Sequence, residues 1–370
     1  MSRFDYVADR DACRTAHDYN HSTDSRFSTL SKGRQTLSEQ SESKGFTIVE
    51  LIVVISIIGI LAAIGIVSYG SWKQSTTTSQ LKSDLNGAVA ALENSRTFNN
   101  TYPTTIPSTF VPSSGVTISG GGLNSGHDYC VSSTNGTLSY NIGNKYSAPI
   151  PGPCPVLYLD AGILTSYPGT GNTWYDLSGL GKNGTLSGGT SYSSANGGVL
   201  SFDGTDDAVD FPASAAPRLG DFSLEGWART PSGVASNYGS VIGYGSWNYL
   251  AHYGIWNASA SNTFRVGGNR SAFTDQYGIY VDITFDQWVY LVGTWDRDGN
   301  LVAYKNGAIY GSPISISSYS NVDYSTAPAS GYYPGWYSQI EISSVRIYSR
   351  VLSASEITQN YNAQKSRFGL

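Results

Sequence analysis

The residue with the clearest chemical consequence is Glu50, a carboxylate near the start of the apolar stretch KGFTIVELIVVISIIGILAAIGIV, residues 44–67. After Glu50 the only polar residue of this stretch is Ser56, and counting from Phe46 gives about twenty residues, the length of a membrane-spanning helix. An acid near the centre of such a helix costs about 2.5–3.5 kcal/mol, so intramembrane acids tend to be functional and paired. Glu50 lies near one end, and a plain anchor or signal peptide with a tolerated edge acid is the alternative interpretation.

The flanking sequence argues against a secretory signal peptide, which has charges at its start and a small-residue cleavage site after its apolar core. Here residues 1–45 form a polar segment with seven basic and seven acidic residues. The apolar run then continues into more polar helix without a clear exit site.

A second group of carboxylates occurs in FDGTDDAVD, where four aspartates lie within eight residues: Asp203, Asp206, Asp207 and Asp210. Hard oxygen ligands of this kind are what Ca²⁺ requires, and we expect Asp203, Asp206 and Asp207 to supply them. A hydrogen-bonded Asx turn without metal is the alternative.

Aromatic residues cluster in YGSWNYLAHYGIW, residues 244–256, and in YYPGWY, residues 332–337. Such rings stack on sugars and other flat surfaces, so Trp247, Trp256 and Trp336 are candidate ligand-binding residues. Packing of these segments against their own sheet is the alternative. Strand alternation places three other tryptophans in the core: Trp227, Trp288 and Trp295.

The residues needed for catalysis are not in evidence, and we expect no enzymatic activity. The paired carboxylates of sandwich-fold glycanases would alternate along a strand, whereas the strand acids Glu225 and Glu341 stand singly. His252 is the only histidine beyond residue 155. A net charge of −5 with only 13% charged residues gives no basic patch and predicts no specific nucleic-acid partner.

These groups must be positioned by a helix and two β-rich regions. The helix is expected over 46–99, and its second half is amphipathic, with Leu81, Leu85, Ala88, Val89 and Leu92 on one face. Residues 100–155 contain short β-prone runs, too few for a full four-stranded sheet, and end in the proline-rich connector APIPGPCP. Residues 156–370 alternate strand signals with turns such as Asn306-Gly307, which predicts a sandwich or jelly roll. A capping box, Ser353 to Glu356, predicts one closing helix.

The N-terminal residues KGFTIVEL, with Gly59 further on, closely resemble the N-terminal segment of type IV pilins and secretion-system pseudopilins. The resemblance implies that a prepilin peptidase cuts between Gly45 and Phe46, removing residues 1–45, and that the Phe46 amine is methylated. It further implies that Glu50 faces the terminal ammonium of a neighbouring subunit in a filament. Because each charge offsets the other's desolvation in an apolar bundle, such a pair also favours one axial register.

The same resemblance implies a topology and a pair of cysteines. Residues 46–67 would cross the cytoplasmic membrane before assembly and pack the filament core afterwards, with the remainder outside the cell. Cys13 would be removed with the leader, which leaves Cys130 and Cys154 in an oxidising compartment. They are expected to form the disulfide of a small pilin head.

Five ordered blocks beyond residue 155 resemble a laminin-G-like, concanavalin-type jelly roll: WYDLSGLGKNGTLSGG, GVLSFDGTDDAVDF, FSLEGWART, WVYLVGTWDRDGNLVAYKNG and SSVRIYSRVLSASEI. That family commonly holds a structural calcium at one rim, with an acidic pair just before the VRIY strand. This chain has Ser343-Ser344 there, and Glu341 is the nearest acid.

Together the two resemblances predict an α+β protein: a long pilin-type helix, a small disulfide-bonded head at 100–155, and an all-β jelly roll at 156–370. The expected function is a pilin-like structural subunit that displays a lectin-like adhesion module toward glycans or cell surfaces. The alternatives are a type II secretion pseudopilin and a membrane-anchored accessory protein of a carbohydrate-active enzyme.

Overall fold

The computed structural model describes residues 46–96, 100–146, 148–215, 220–233, 239–245, 252–257, 262–271, 275–319 and 339–370. The chain divides into two compact units, Met1–Ile64 and Gly65–Leu370. The predicted leader, including Gly45, lies outside the described residues.

One long helix, α1, covers Ile48–Asn94. Its expected apolar face is confirmed, because Leu81, Leu85, Ala88 and Leu92 are fully buried against the head sheet. The helix ends at Asn94 rather than at the expected residue 99, and Ser95 closes it with a turn to the Ala91 carbonyl.

The head is a four-stranded antiparallel sheet whose strands follow one another in sequence: β1 Thr117–Leu123, β2 Asp128–Thr134, β3 Ser139–Gly143 and β4 Ile150–Pro151. The expectation of a reduced sheet is therefore wrong in strand number. The fourth strand comes from the proline-rich connector and has two residues, because Pro151 lacks the N–H that a longer ladder requires.

The connector is tied to the head in two further ways. Cys130 on β2 and Cys154 form the expected disulfide. The Asn141 side-chain amide on β3 donates to the carbonyls of Gly152 and Pro153, at 2.8 and 3.0 Å. The segment is thus an integral edge of the head rather than a free spacer.

Fifteen strands make up the remaining β structure among the described residues. They are β5 Leu157–Asp160, β6 Thr173–Trp174, β7 Gly184–Ser187, β8 Ser191–Ser193, β9 Val199–Asp203, β10 Ala208–Asp210, β11 Phe222–Arg229, β12 Ser240–Gly245, β13 His252–Asn257, β14 Thr263–Ser271, β15 Asp275–Asp282, β16 Trp288–Trp295, β17 Asn300–Lys305, β18 Ala308–Ser315 and β19 Gln339–Tyr348. The largest sheet has the order β18-β17-β16-β11-β19-β9-β8, with β5 also paired to β19. A second sheet runs β12-β13-β14-β15, and a small third one runs β10-β7-β6.

A single large core joins these sheets, as a jelly-roll sandwich requires. Residues from the large sheet, such as Leu224 and Val345, share one buried cluster with Ile255 and Val266 of the second sheet. Trp227, Trp288 and Trp295 are at most 7% exposed, which confirms their predicted packing role. The Asn306-Gly307 turn also forms, with positive φ at both residues, as a tight hairpin needs.

The closing helix α2, Ala354–Gln364, begins with the predicted capping box at Ser353 and Glu356. It covers the outer face of the large sheet, where Ile357 packs with Trp227. The α+β fold class expected from sequence is confirmed, with a 47-residue helix, a disulfide-bonded head and a β sandwich.

Helix α2 also holds the sandwich to the head. The Ser139 hydroxyl on β3 donates to Glu356 at 2.5 Å, and the Gln359 amide donates to the Ser139 carbonyl at 2.9 Å. Burial alone would raise the pKa of Glu356, but the hydrogen bonds from Arg350 and Ser139 outweigh it and lower that pKa. The carboxylate therefore stays ionised at the junction.

Glu225, which stands singly in the sequence, is the centre of a buried polar network under α2. It accepts from Arg346 at 2.8 Å, from Tyr290 at 2.5 Å and from Asn360 at 3.0 Å. Burial, followed by the charge of Glu225, raises the pKa of Tyr290, so the phenol remains a donor. All four residues are at most 2% exposed, so each charge depends on the other for its compensation.

Replacing Glu225 by alanine should lower the free energy of unfolding by about 3–5 kcal/mol, because Arg346 would be left charged and unpaired in the interior. The matched control is Glu341→Ala. Glu341 pairs with Arg229 through side chains that remain 19% and 30% exposed, so about 1 kcal/mol is expected. Urea unfolding of the detergent-solubilised chain measures both losses, and equal losses would contradict the assignment.

Candidate functional site

The start of α1 is built by a capping box that the sequence analysis did not identify. Thr47 lies just before the helix, and both its backbone N–H and its hydroxyl donate to Glu50 Oε2, at 2.9 and 2.8 Å. The Glu50 N–H donates back to the Thr47 hydroxyl at 3.2 Å. The signal was present as T-x-x-E, the pattern of a helix N-terminus.

This arrangement fixes the position of the carboxylate at the first turn of the helix, where the helix dipole favours negative charge. Both donors from Thr47 converge on one oxygen, and Glu50 itself is exposed. The large apolar side chains of this segment, from Phe46 to Ile64, are 42–77% exposed. The isolated chain thus presents an apolar helix that carries one oriented acid.

No helix among the described residues is both long enough and apolar enough to cross a membrane.

The three aspartates predicted to bind calcium do come together. Carboxylate oxygens of Asp203, Asp206 and Asp207 lie within 4.8 Å of one another. Asp207 is only 3% exposed; its Oδ2 accepts from the Asp203 N–H at 2.7 Å, while Oδ1 has no hydrogen-bond partner among the described residues. An Asx turn is present as well, because the Thr205 N–H donates to Asp203 Oδ1 at 2.7 Å.

The electrostatics of this cluster favour an added cation. Burial raises the pKa of Asp207, and the charges of Asp203 and Asp206 raise it further. A buried, unpartnered carboxylate oxygen next to two exposed acids fits the oxygen-donor preference of Ca²⁺. Asp210 is exposed and is not one of the converging acids.

Glu341 does not complete this cluster. Its carboxylate accepts two hydrogen bonds from Arg229, of which the Nη2 contact measures 2.8 Å. Ser343 is also engaged, since its hydroxyl donates to the Gly198 carbonyl at 2.8 Å. Glu341 and Ser343, which precede the VRIY residues, therefore contact Arg229 and Gly198 rather than the aspartate cluster.

Sequence analysis missed a second acidic group, formed by Asp221, Asp296 and Asp298, because Asp221 is distant from the other two in the chain. Asp221 accepts from the Arg297 N–H at 2.9 Å. A hydrogen bond with Asp298 raises the pKa of Asp296.

The candidate ligand-binding aromatics divide into two groups. Trp247 and Trp336 lie outside the described residues. Trp256 on β13 is 2% exposed, and the Arg265 guanidinium of β14 lies 5.4 Å from its ring centre. The prediction that a sugar stacks on Trp256 is therefore wrong, because Arg265 is its direct cross-strand partner and covers it.

Two family models match separate parts of the chain. Residues 41–66 match the prokaryotic N-terminal methylation motif, and residues 203–358 match the concanavalin A-like lectin/glucanases superfamily. The chain thus combines a segment that matches a methylation motif with a segment that matches a concanavalin-like superfamily. No curated protein matches it.

Several solved structures are similar to the chain. The botulinum neurotoxin serotype G binding domain is 17% identical, with a TM-score of 0.43, over 57% of this chain and 51% of that one. The serotype D binding domain is 12% identical, with a TM-score of 0.44 and coverages of 57% and 51%. The binding domain of Paraclostridial Mosquitocidal Protein 1 is 16% identical, with a TM-score of 0.41 and coverages of 56% and 52%. The chain spans about half the length of these structures.

Calcium should stabilise the protein through Asp207. A calcium concentration one hundred times Kd would add about 2.7 kcal/mol, and chelator should remove this gain. Asp207→Asn should abolish the calcium response, whereas Asp210→Asn should keep it. Thermal unfolding with and without calcium measures both, and an equal calcium shift in wild type and Asp207→Asn would contradict the site.

The same carboxyl predicts a pH dependence without metal. Because the folded-state pKa of Asp207 is raised above 3.8, its contribution to stability is present below that pH and is lost as pH rises through the folded-state pKa. In chelator, stability should therefore fall over this window in wild type and fall less in Asp207→Asn. Parallel pH profiles for the two proteins would contradict the raised pKa.

Proposed function

We propose that this chain is a type IV pilin-like structural subunit that carries a lectin-like binding module out of the cell. The observation that carries the proposal is the exposed apolar helix with an oriented acid at its start. A surface of this kind is unfavourable in water and needs a bilayer or neighbouring helices to cover it. The methylation motif supports the same interpretation.

In this proposal residues 46–67 lie in the cytoplasmic membrane before assembly and in the filament core afterwards. A prepilin peptidase cuts after Gly45 and frees the amine of Phe46, which is then methylated. Glu50 takes the ammonium of a neighbouring copy as its partner, because a cation offsets the desolvation of an ionised carboxylate inside an apolar bundle.

The head and the jelly roll are proposed to be displayed as one piece. The contacts of Ser139 with Glu356 and Gln359, together with the disulfide that ties the connector to β2, support a fixed orientation of the sandwich on the head. A bulky module fixed in this way suits a tip-located minor subunit or a filament with decorated sides. It suits a pseudopilin in a tight rod less well.

The jelly roll is proposed to bind glycans or cell surfaces without chemical turnover, with calcium at Asp203, Asp206 and Asp207 supporting its rim. The superfamily match supports a lectin-like module, although its description also includes glucanases. Retention without cleavage on a panel of polysaccharides, tested with and without calcium, would agree with the proposal. Release of shorter sugars would instead favour the alternative of a membrane-anchored carbohydrate-active protein.

Labelling with antibody against residues 156–370 tests the display role. Gold particles at filament tips or along the shaft are expected. Label that never appears outside the envelope would reject the proposal in favour of a pseudopilin.

Assembly should depend on Glu50 and, to a smaller extent, on Thr47. Glu50→Ala should leave processing intact but reduce incorporation into mixed filaments. Thr47→Val removes the hydroxyl of the capping box, worth about 0.5–2 kcal/mol to the helix start, and should reduce incorporation less. Thr76→Val is the control, because the Thr76 hydroxyl donates to the Trp72 carbonyl instead. Wild-type incorporation of Glu50→Ala would exclude the charge pair.

A further inference from the structure

Two aromatic rings on α1 lie just beyond the end of the apolar run. Tyr69 is 64% exposed and Trp72 is 63% exposed, and their ring centres are 6.0 Å apart. At a spacing of three residues they share one face of the helix. Single exposed aromatics are ordinary on a protein surface, but a pair at this boundary is a specific feature.

The residues that follow Trp72 are polar. Lys73 and Gln74 come directly after Trp72, and residues 75–79 are all serine or threonine. The order along the helix is therefore apolar run, then aromatic pair, then a polar segment that begins with one lysine. Membrane proteins show this order where a helix leaves the hydrocarbon and passes through the headgroup layer.

We infer that Tyr69 and Trp72 anchor the chain at the outer interface of the cytoplasmic membrane before assembly. This inference rests on the proposed membrane stage of residues 46–67. Tyrosine and tryptophan prefer that layer because their rings are apolar while the phenol O–H and indole N–H need polar partners. Lys73 adds an ammonium that can reach lipid phosphate along its flexible stem.

The spacing along the chain fits a bilayer. Tyr69 follows Phe46 by 23 residues and Trp72 by 26, which as helix correspond to about 35 and 39 Å. The hydrocarbon layer is about 30 Å thick, and about 40–45 Å with the headgroups. With Phe46 at the inner interface, both rings fall in the outer one, so the pair holds the Gly45–Phe46 bond at the cytoplasmic surface where the peptidase acts.

Depth-dependent quenching of tryptophan fluorescence tests the position. The full chain is placed in vesicles whose lipids carry bromine either near the headgroup or near the bilayer centre. Because the chain has eight tryptophans, the wild-type emission minus that of Trp72→Phe isolates Trp72. We expect this difference to be quenched most strongly by the shallow bromines. Strongest quenching by the deep bromines, or no quenching, would overturn the inference.

Processing provides an independent measurement. The double variant Tyr69→Ser/Trp72→Ser should be cleaved several-fold more slowly in membranes, while Trp72→Phe should stay near wild type. Tyr175→Ser is the control, since Tyr175 is an exposed tyrosine of the jelly roll. Wild-type cleavage of the double variant, with loss only of filament incorporation, would overturn the inference and assign the rings to contact with a second copy.

The experiments distinguish failure of the proposed function from failure of the membrane anchor alone. If wild type neither binds vesicles nor is cleaved before Phe46, the proposed function itself is wrong. If wild type binds and is cleaved but Trp72 is not quenched at shallow depth, only the anchor is wrong.

Discussion

The proposed assembly depends on how one carboxylate is satisfied once apolar helices surround it. In the isolated chain Glu50 is held by the two donors of Thr47, which also define where the helix begins. These are neutral donors, so they do not neutralise its charge. Inside a bundle of apolar helices, that remaining charge would favour the position in which an ammonium lies next to it.

The buried polar contacts of the jelly roll and the head follow the same principle. Glu225 and Arg346 compensate each other in the interior, and Glu356 is ionised between Arg350 and Ser139. Because Ser139 belongs to the head and Glu356 to the closing helix, one carboxylate serves as both a helix cap and a link between the two parts. A subunit that displays a binding module gains from such a link, since the module then keeps one orientation on its support.

Much of the fold follows from local patterns in the sequence. The amphipathic face at Leu81 and Leu85, the cap at Ser353 and the Asn306-Gly307 turn each depend on residues a few positions apart, and each is present. The fourth head strand was not predictable in this way, because two residues carry no periodicity. The network around Glu225 was also missed, since Arg346 and Asn360 lie more than a hundred residues further along the chain.

The candidate sites show the same limit. The aspartates at 203–207 were found because they are neighbours in sequence, whereas Asp221 and Asp296 meet only in the fold. Trp256 has the residue type of a sugar platform, but its burial beneath Arg265 is set by strand register. At the N-terminus, Glu50 is also the capping partner of Thr47, a role that its charge alone does not predict.

Mass spectrometry of the N-terminus of chains recovered from filaments tests the central claim most directly, because the proposed partner of Glu50 exists only after cleavage. A first residue of Phe46 with one added methyl group on its amine is the predicted result. A chain that begins at any other residue would have no ammonium at the required place and would contradict the account.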